Sequence, residues 1–283
     1  MLTRVDRVQV VVADRRAVAR DYHRLLAAEV TREDRVPLLA ARRTVLRLGD
    51  SEVEVLEPDG AGAVAEFLSR TKGGMYAAGF ATADIGRLKA HLASRDVPST
   101  EVDDQLWFTH EALQLPGLHA VISAETARQP AGLATHLYEV TLLVPDAAAV
   151  ARRAAATFRL DPSHFVPIRS EQFGYDGILT LFHPQRLDRI EVVTPKDPLK
   201  TMGRFFAKRG PCLYMCFVEA DNLEPIIARL REHAPNDWTA ASDGDSLFIH
   251  PKALGGLMIG VSRTTVAWTW SGHPEWVKPR ATA

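Results

Sequence analysis

Several features that would settle the class of a protein at sight are scarce in this chain. It has two cysteines in 283 residues, Cys212 and Cys216, too few for a disulfide framework. They lie four apart in an apolar run, where neighbours on one strand are poorly placed to bridge, so they read as small core residues. No apolar stretch reaches the roughly 18 residues of a membrane-spanning helix. The start, Met1 to Arg7, enters a strand-like run without a signal-peptide pattern, which gives the expectation of a cytoplasmic protein. An excess of one charge is also missing. Lys+Arg 34 against Asp+Glu 35 leaves a net charge of -1, which excludes the strong basic surplus of a dedicated nucleic-acid binder. Neither a phosphate-binding glycine loop nor a serine or cysteine nucleophile motif occurs.

What the chain does have is enough apolar material for a full core, 46% of residues, and an internal repeat. Four apolar runs each close on an aspartate and pass into a helical pattern. They are Val8 to Asp14, Ala78 to Asp84, Val140 to Asp146 and Met215 to Asp221. A short carboxylate at that point caps the first free N–H groups of a helix and complements its dipole. Strand pairs then flank turn signals at Gly49-Asp50, Pro116-Gly117, His183-Pro184 and Gly255-Gly256. The unit reads βαβββ, four times over. Asp14 to Asp146 is 132 residues, Asp84 to Asp221 and Glu54 to Glu191 are each 137, and His110 to His250 is 140. Near-constant offsets indicate that the whole chain is doubled. The expected organisation is α+β: a first domain over 1–128, a linker around Pro130 and Gly132, a second domain over 136–265, and a C-terminal tail over 266–283.

These landmarks, in this order, resemble the vicinal oxygen chelate superfamily, which includes glyoxalase I, extradiol dioxygenases, methylmalonyl-CoA epimerase and bleomycin-resistance proteins. Val5-Asp6-Arg7-Val8 resembles the family's opening strand, and Val53-Glu54-Val55-Leu56-Glu57-Pro58 its Glu-bearing strand. Phe205-Phe206-Ala207-Lys208-Arg209-Gly210 resembles the linker before the second module of epimerase-type members. Phe248-Ile249-His250-Pro251-Lys252 resembles the lead-in to the last strand. The resemblance covers about residues 4–263. It implies four βαβββ modules forming two paired-module half-barrel cups, each able to hold a metal.

The resemblance also marks the positions that carry the family's ligands. The first-strand positions are Arg7, Ala77, Glu139 and Tyr214, and none is His. The last-strand positions are Glu54, Val121, Glu191 and Gly260. The first cup is therefore expected to be metal-free, with Arg7 neutralising Glu54. The second offers Glu139, Glu191 and Tyr214 as candidate catalytic residues. Two carboxylates and a phenol suit a hard divalent cation held by Glu139 and Glu191 with waters. They also suit a metal-free arrangement in which one acid keeps its proton and Tyr214 donates to an oxyanion. A structural reading stands beside both: Glu191 paired with Arg189 or Arg169, and Tyr214 an ordinary core residue.

His110 and His250 fall at equivalent places before the final strands, within reach of a cup mouth, and are candidate substrate contacts; the plainer reading is a turn histidine. Arg204, in the basic and aromatic stretch Lys200 to Arg209, is a candidate for an anionic ligand tail such as a CoA phosphate, as the epimerase resemblance suggests. Trp268 and Trp270 alternate like strand residues, so with Trp276 they are expected to cover an apolar patch or a second copy of the chain, which leaves a homodimer open. Two functions remain. One is an enolising isomerase, epimerase or lyase acting on a small-molecule carboxylate, thioester or ketone. The other is a metal-free small-molecule binding or sequestering protein of the bleomycin-resistance type. A ring-cleaving dioxygenase ranks third, since no ligand position carries the histidine that its iron needs.

Overall fold

The structure is a computed structural model that describes residues 1–280. Four βαβββ modules follow one another. The first is β1 (Leu2–Val11), α1 (Arg15–Leu26), β2 (Glu29–Val36), β3 (Ala41–Leu48) and β4 (Ser51–Pro58), followed by α2 (Ala63–Thr71). The second is β5 (Gly74–Thr82), α3 (Ile85–Ala93), β6 (Thr100–Val102), β7 (Gln105–Phe108) and β8 (His119–Ala124), with the short α4 (His110–Leu113) before β8. The third is β9 (His136–Leu143), α5 (Ala147–Phe158), β10 (Phe165–Ser170), β11 (Tyr175–Leu181) and β12 (Arg189–Pro195), followed by α6 (Thr201–Arg209). The fourth is β13 (Cys212–Ala220), α7 (Glu224–His233), β14 (Trp238–Ala240), β15 (Ser246–Ile249) and β16 (Met258–Arg263).

The modules join in pairs as two 8-stranded sheets, ordered β2-β3-β4-β1-β5-β8-β7-β6 and β10-β11-β12-β9-β13-β16-β15-β14. The two orders are the same when 8 is added to every strand number, so the doubling read in the sequence is a doubling of topology. By packing, the chain falls into two compact units. One is Met1–Gln9, Met75–Ala127 and Tyr138–Met215; the other is Val10–Gly74, Arg128–Leu137 and Cys216–Ala283. In the first unit Phe80 meets the rings of Phe158 and Phe182 with centroids 6.1 and 5.8 Å apart. In the second, α1 packs along α7, and Arg229 of α7 donates to the carbonyl of Arg24 at 2.8 Å, near the end of α1.

Three of the repeated aspartates cap helices by the same bond. Asp14, Asp84 and Asp146 accept from the N–H three residues on, at 2.9, 2.8 and 2.9 Å. The carbonyls of all three also accept the N–H four residues on. Asp221 departs from this pattern. Four residues after it stands Pro225, which has no N–H to give, so the helix starts later. Leu223 takes the N-cap position without a side-chain bond, the side chain of Asn222 just before it accepts Glu224 N at 3.0 Å, and Asp221 accepts the Thr264 hydroxyl at 2.6 Å.

The linker is pinned in place. Ala131 and Gly49 exchange backbone hydrogen bonds, Asp50 N donates to Thr135 O, and Thr135 N donates to Glu219 O. Gly49 has φ +62, and a Cβ there would overlap the Thr135 carbonyl, so this approach requires glycine. The tail differs from its expectation. Val266–Trp270 is a 3₁₀ helix, where residues two apart do not share a face. Trp268 is therefore buried, edge-on to Trp276 at 4.7 Å, while Trp270 is exposed. The last three residues of the tail lie outside the described residues. No described helix is long and apolar enough to cross a membrane.

Candidate functional site

Register builds the site in the third module. β12 runs parallel to β9 with Arg189 opposite Glu139 and Glu191 opposite Thr141. β11 runs antiparallel on the other side of β12, with Leu179 opposite Glu191, Gly177 opposite Val193 and Tyr175 opposite Pro195. Partnered residues share a face, and alternate residues along a strand return to it. One face therefore carries, row by row, Arg189 with Glu139, then Leu179, Glu191 and Thr141, then Gly177, Val193 and Leu143. Both acids are buried, Glu139 at 1% and Glu191 at 7% exposure, and Arg189 is fully buried.

Each acid has a different partner. Arg189 Nε donates to Glu139 Oε2 at 2.5 Å. The Thr141 hydroxyl donates to Glu191 Oε2 at 2.5 Å. The Glu139 charge acts directly on the Glu191 carboxyl across this face, which favours one retained proton over two charges. Burial and the neighbouring Glu139 charge push Glu191 far above the ordinary carboxylate range, to about 8. It is thus a neutral acid near pH 7, the expected outcome for two carboxyls that share one guanidinium.

The phenol that reaches this pair is Tyr175. Burial first, and then the charges of Glu191 and Glu139, raise its pKa, so its phenol lies close to the pair. Between Tyr175 and Leu179 on this face stands Gly177, where a Cβ would meet the Val192 carbonyl and the Ile168 side chain. Tyr214, expected in that role, packs elsewhere on the face. It lies with Tyr175, Phe205 and Phe206 against Leu143, Val193 and Met202, and its ring meets Phe205 edge-on at 5.0 Å. Burial raises its pKa. Thr141 and Tyr175 were missed in the sequence. Their signal was strand register, together with a glycine at an even spacing from both Tyr175 and Leu179.

The other candidates have local partners. Arg204 bonds Leu199 O and the Thr201 hydroxyl at the start of its own helix. Its neighbours on α6 explain the basic, aromatic stretch as one helix, whose Met202, Phe205 and Phe206 pack on the acid-bearing sheet while Arg209 lies over the Phe205 ring at 5.3 Å. His110 begins α4, 2.9 Å from Glu111 and edge-on to His119 at 5.2 Å. His250 caps the 3₁₀ helix Pro251–Leu254, with Nε2 3.3 Å from the Thr239 hydroxyl. Both are turn histidines held by neighbouring residues.

The first-half positions are arranged differently. Glu54 is fully buried and bonded at 3.1 Å by Arg43 Nη1, and Arg43 also holds Asp34 at 2.7 Å. These two carboxylates raise the Arg43 pKa against the opposing effect of its burial. Arg43 is opposite Leu56 just as Gly177 is opposite Val193, so a residue that pairs with Glu54 has a glycine as its counterpart in the second half. Arg7 bonds Asp6 at 2.5 Å and Ser123 at 2.9 Å. In the fourth module Gly260 is opposite Phe248, as Ala120 is opposite Phe108, so Val261 and not Gly260 is the counterpart of Val121. A Cβ at Gly260 would overlap the Phe217 ring.

The fold family's metal does not suit these donors. Glu139 is taken by a guanidinium, Glu191 holds a proton, and no imidazole stands at the facing positions. A metal needs ionised carboxylates free to turn toward it. Among the described residues, no group of three His, Cys, Asp or Glu side chains is placed to hold an ion.

No family model and no curated protein matches the chain. Solved structures do. A triple mutant of 4-hydroxymandelate synthase from Streptomyces coelicolor superposes with TM-score 0.68 at 13% identity, covering 93% of each chain. A xylose isomerase-like TIM barrel/4-hydroxyphenylpyruvate dioxygenase fusion protein gives 0.61 at 9% identity, covering 94% of this chain and 50% of that one. A variant of methylmalonyl-CoA epimerase from Streptomyces coelicolor gives 0.39 at 21% identity, over 44% of this chain and all of its own. The first two likenesses show the fold, which is the paired-module vicinal oxygen chelate fold.

Proposed function

We propose that the Glu139–Glu191 cluster is the working site of a small-molecule enzyme that moves a proton at carbon next to a carbonyl, as an enolising isomerase, epimerase or lyase does. The observation that carries this is two buried acids on one sheet face, Glu139 held by Arg189 and Glu191 by Thr141, with Glu191 pushed well above the ordinary carboxylate range. Two desolvated carboxyls beside a single guanidinium cost stability, and a perturbed acid in a fold built to bind small molecules is the usual mark of proton-transfer chemistry.

The roles follow from the contacts. Glu139, held by Arg189, takes the proton from the carbon, Glu191 delivers its own proton to the carbanion or enolate oxygen, and transfer of a proton from Glu139 to Glu191 restores the pair. Arg189 holds Glu139 in position and keeps the pair from carrying two uncompensated charges. Tyr175 lies close to Glu191 and can pivot its hydroxyl to a developing oxyanion. Binding without turnover would use the same residues, and one assay separates the two readings. Product formation is followed on acyl-CoA thioesters, 2-oxoaldehydes and aromatic ketones, with wild type beside Glu191→Gln. Loss of roughly 100-fold or more in turnover by the folded variant supports the proposal. Turnover that survives Glu191→Gln refutes it.

A further inference from the structure

Arg189 is fully buried and its three nitrogens are used unequally. Nε is bonded to Glu139, Nη1 makes a long bond of 3.4 Å to Leu187 O, and Nη2, also buried, has no hydrogen-bond acceptor, while the guanidinium lies over the Tyr138 ring with Cζ 5.1 Å from its centroid. A buried guanidinium N–H without an acceptor is costly, and a carboxylate is its best match. A carboxylate brought there alone would be repelled by Glu139 in the same row and by Glu191 in the next. An anion accepted at this place must therefore bring its own cation.

The repeat points the same way. In the first half, Arg43 reaches across its strand pair to Glu54; in the second half the matching residue is Gly177, so no internal cation reaches Glu191 from that strand. Beside the acids lie the half-buried rings of Tyr175, Phe205, Phe206 and Tyr214. Such rings favour an apolar or aromatic body and attract a cationic nitrogen through their faces.

We infer that this cluster takes a zwitterionic ligand, an α-amino acid with an aromatic or apolar side chain, whose carboxylate occupies the free arm of Arg189 and whose ammonium group faces Glu139 and Glu191. The inference rests on the reading of the cluster as the working site and names its substrate class. Charge balance supports it. Arg189 and an acid pair with one proton sum to zero, and a zwitterion adds no net charge to a buried site. The carbon between the ammonium and carboxylate groups is also the one whose proton an enolising enzyme would move.

The test removes one ligand group at a time from the intact protein's probe. Phenylalanine, 3-phenylpropanoate (no nitrogen) and 2-phenylethylamine (no carboxylate) are titrated by calorimetry at pH 7. Phenylalanine is expected to bind roughly 10-fold or more tightly than either fragment, since a site built for a polar group discriminates against a ligand that lacks it. Glu191→Gln should narrow the gap between phenylalanine and 3-phenylpropanoate. Equal binding of either fragment, or no saturable binding of phenylalanine, overturns the inference. If Glu191-dependent turnover of a carbonyl compound persists while phenylalanine shows no advantage, only the substrate class falls. If Glu191→Gln leaves turnover intact, the working-site reading falls with it.

Discussion

Replacing Glu191 by glutamine should stabilise the protein at alkaline pH and leave it almost unchanged in acid. In the folded state the acid is raised from an ordinary 4.5 to about 8 by burial and by Glu139. The folded chain therefore binds one more proton than the unfolded chain between those limits. Stability contributed by neutral Glu191 is complete below the lower value and is lost as pH rises toward the upper one. The slope for one proton is about 1.4 kcal/mol per pH unit, so the window holds at most about 5 kcal/mol. Glutamine cannot ionise. Its oxygen can still accept from Thr141, and its amide can donate toward the Glu139 carboxylate. Urea denaturation of both proteins from pH 5 to pH 9 measures the difference, in which histidines and surface groups cancel. The variant should match wild type near pH 5 and exceed it by several kcal/mol near pH 8. Parallel pH profiles would refute the neutral Glu191, as would a variant destabilised at every pH.

Three further outcomes are expected. Arg43→Met should cost about 3–5 kcal/mol by taking a buried guanidinium from both Glu54 and Asp34, and adding Glu54→Gln should recover part of it; a loss under about 1 kcal/mol in chemical denaturation would show the pair to be dispensable. Gly177→Ala places a Cβ 2.8 Å from the Val192 carbonyl and should destabilise by about 1–3 kcal/mol, seen as a lower Tm; no shift would mean that the strand yields freely. Asp14→Ala should cost about 1 kcal/mol and Asn222→Ala less, because Asp14 caps α1 with two bonds while Asn222 accepts one N–H from a position before the N-cap of α7; equal losses in melting would contradict this.

The fold was legible because its signals are local and recur. An aspartate between an apolar run and a helical pattern states where a strand stops, and four such sites at fixed offsets state the topology. The exception, Asp221, was also visible in principle, since Pro225 removes the N–H that the other three caps use. The candidate site was legible only where repeat position alone determines it, as for Glu139 and Glu191. Tyr175 and Thr141 meet Glu191 through pairing between strands, which residue spacing along one strand does not encode. Tyr214 shows the converse: it occupies a ligand position, yet the aromatic side of α6 claims its ring. Trp268 and Trp270 misled because alternation implies a shared face only on an extended chain, and that segment is a 3₁₀ helix.

The pinned linker bears on how this protein can be divided. Ala131 bonds the turn at Gly49, and Thr135 bonds both that turn and the end of β13 at Glu219. The joint between the tandem halves is therefore woven into a module from each of them. A protease that nicks it would release no free domain, and a gene severed there would encode two fragments, each missing backbone partners held by the other. Fragment complementation should succeed only when the halves are made together in one cell.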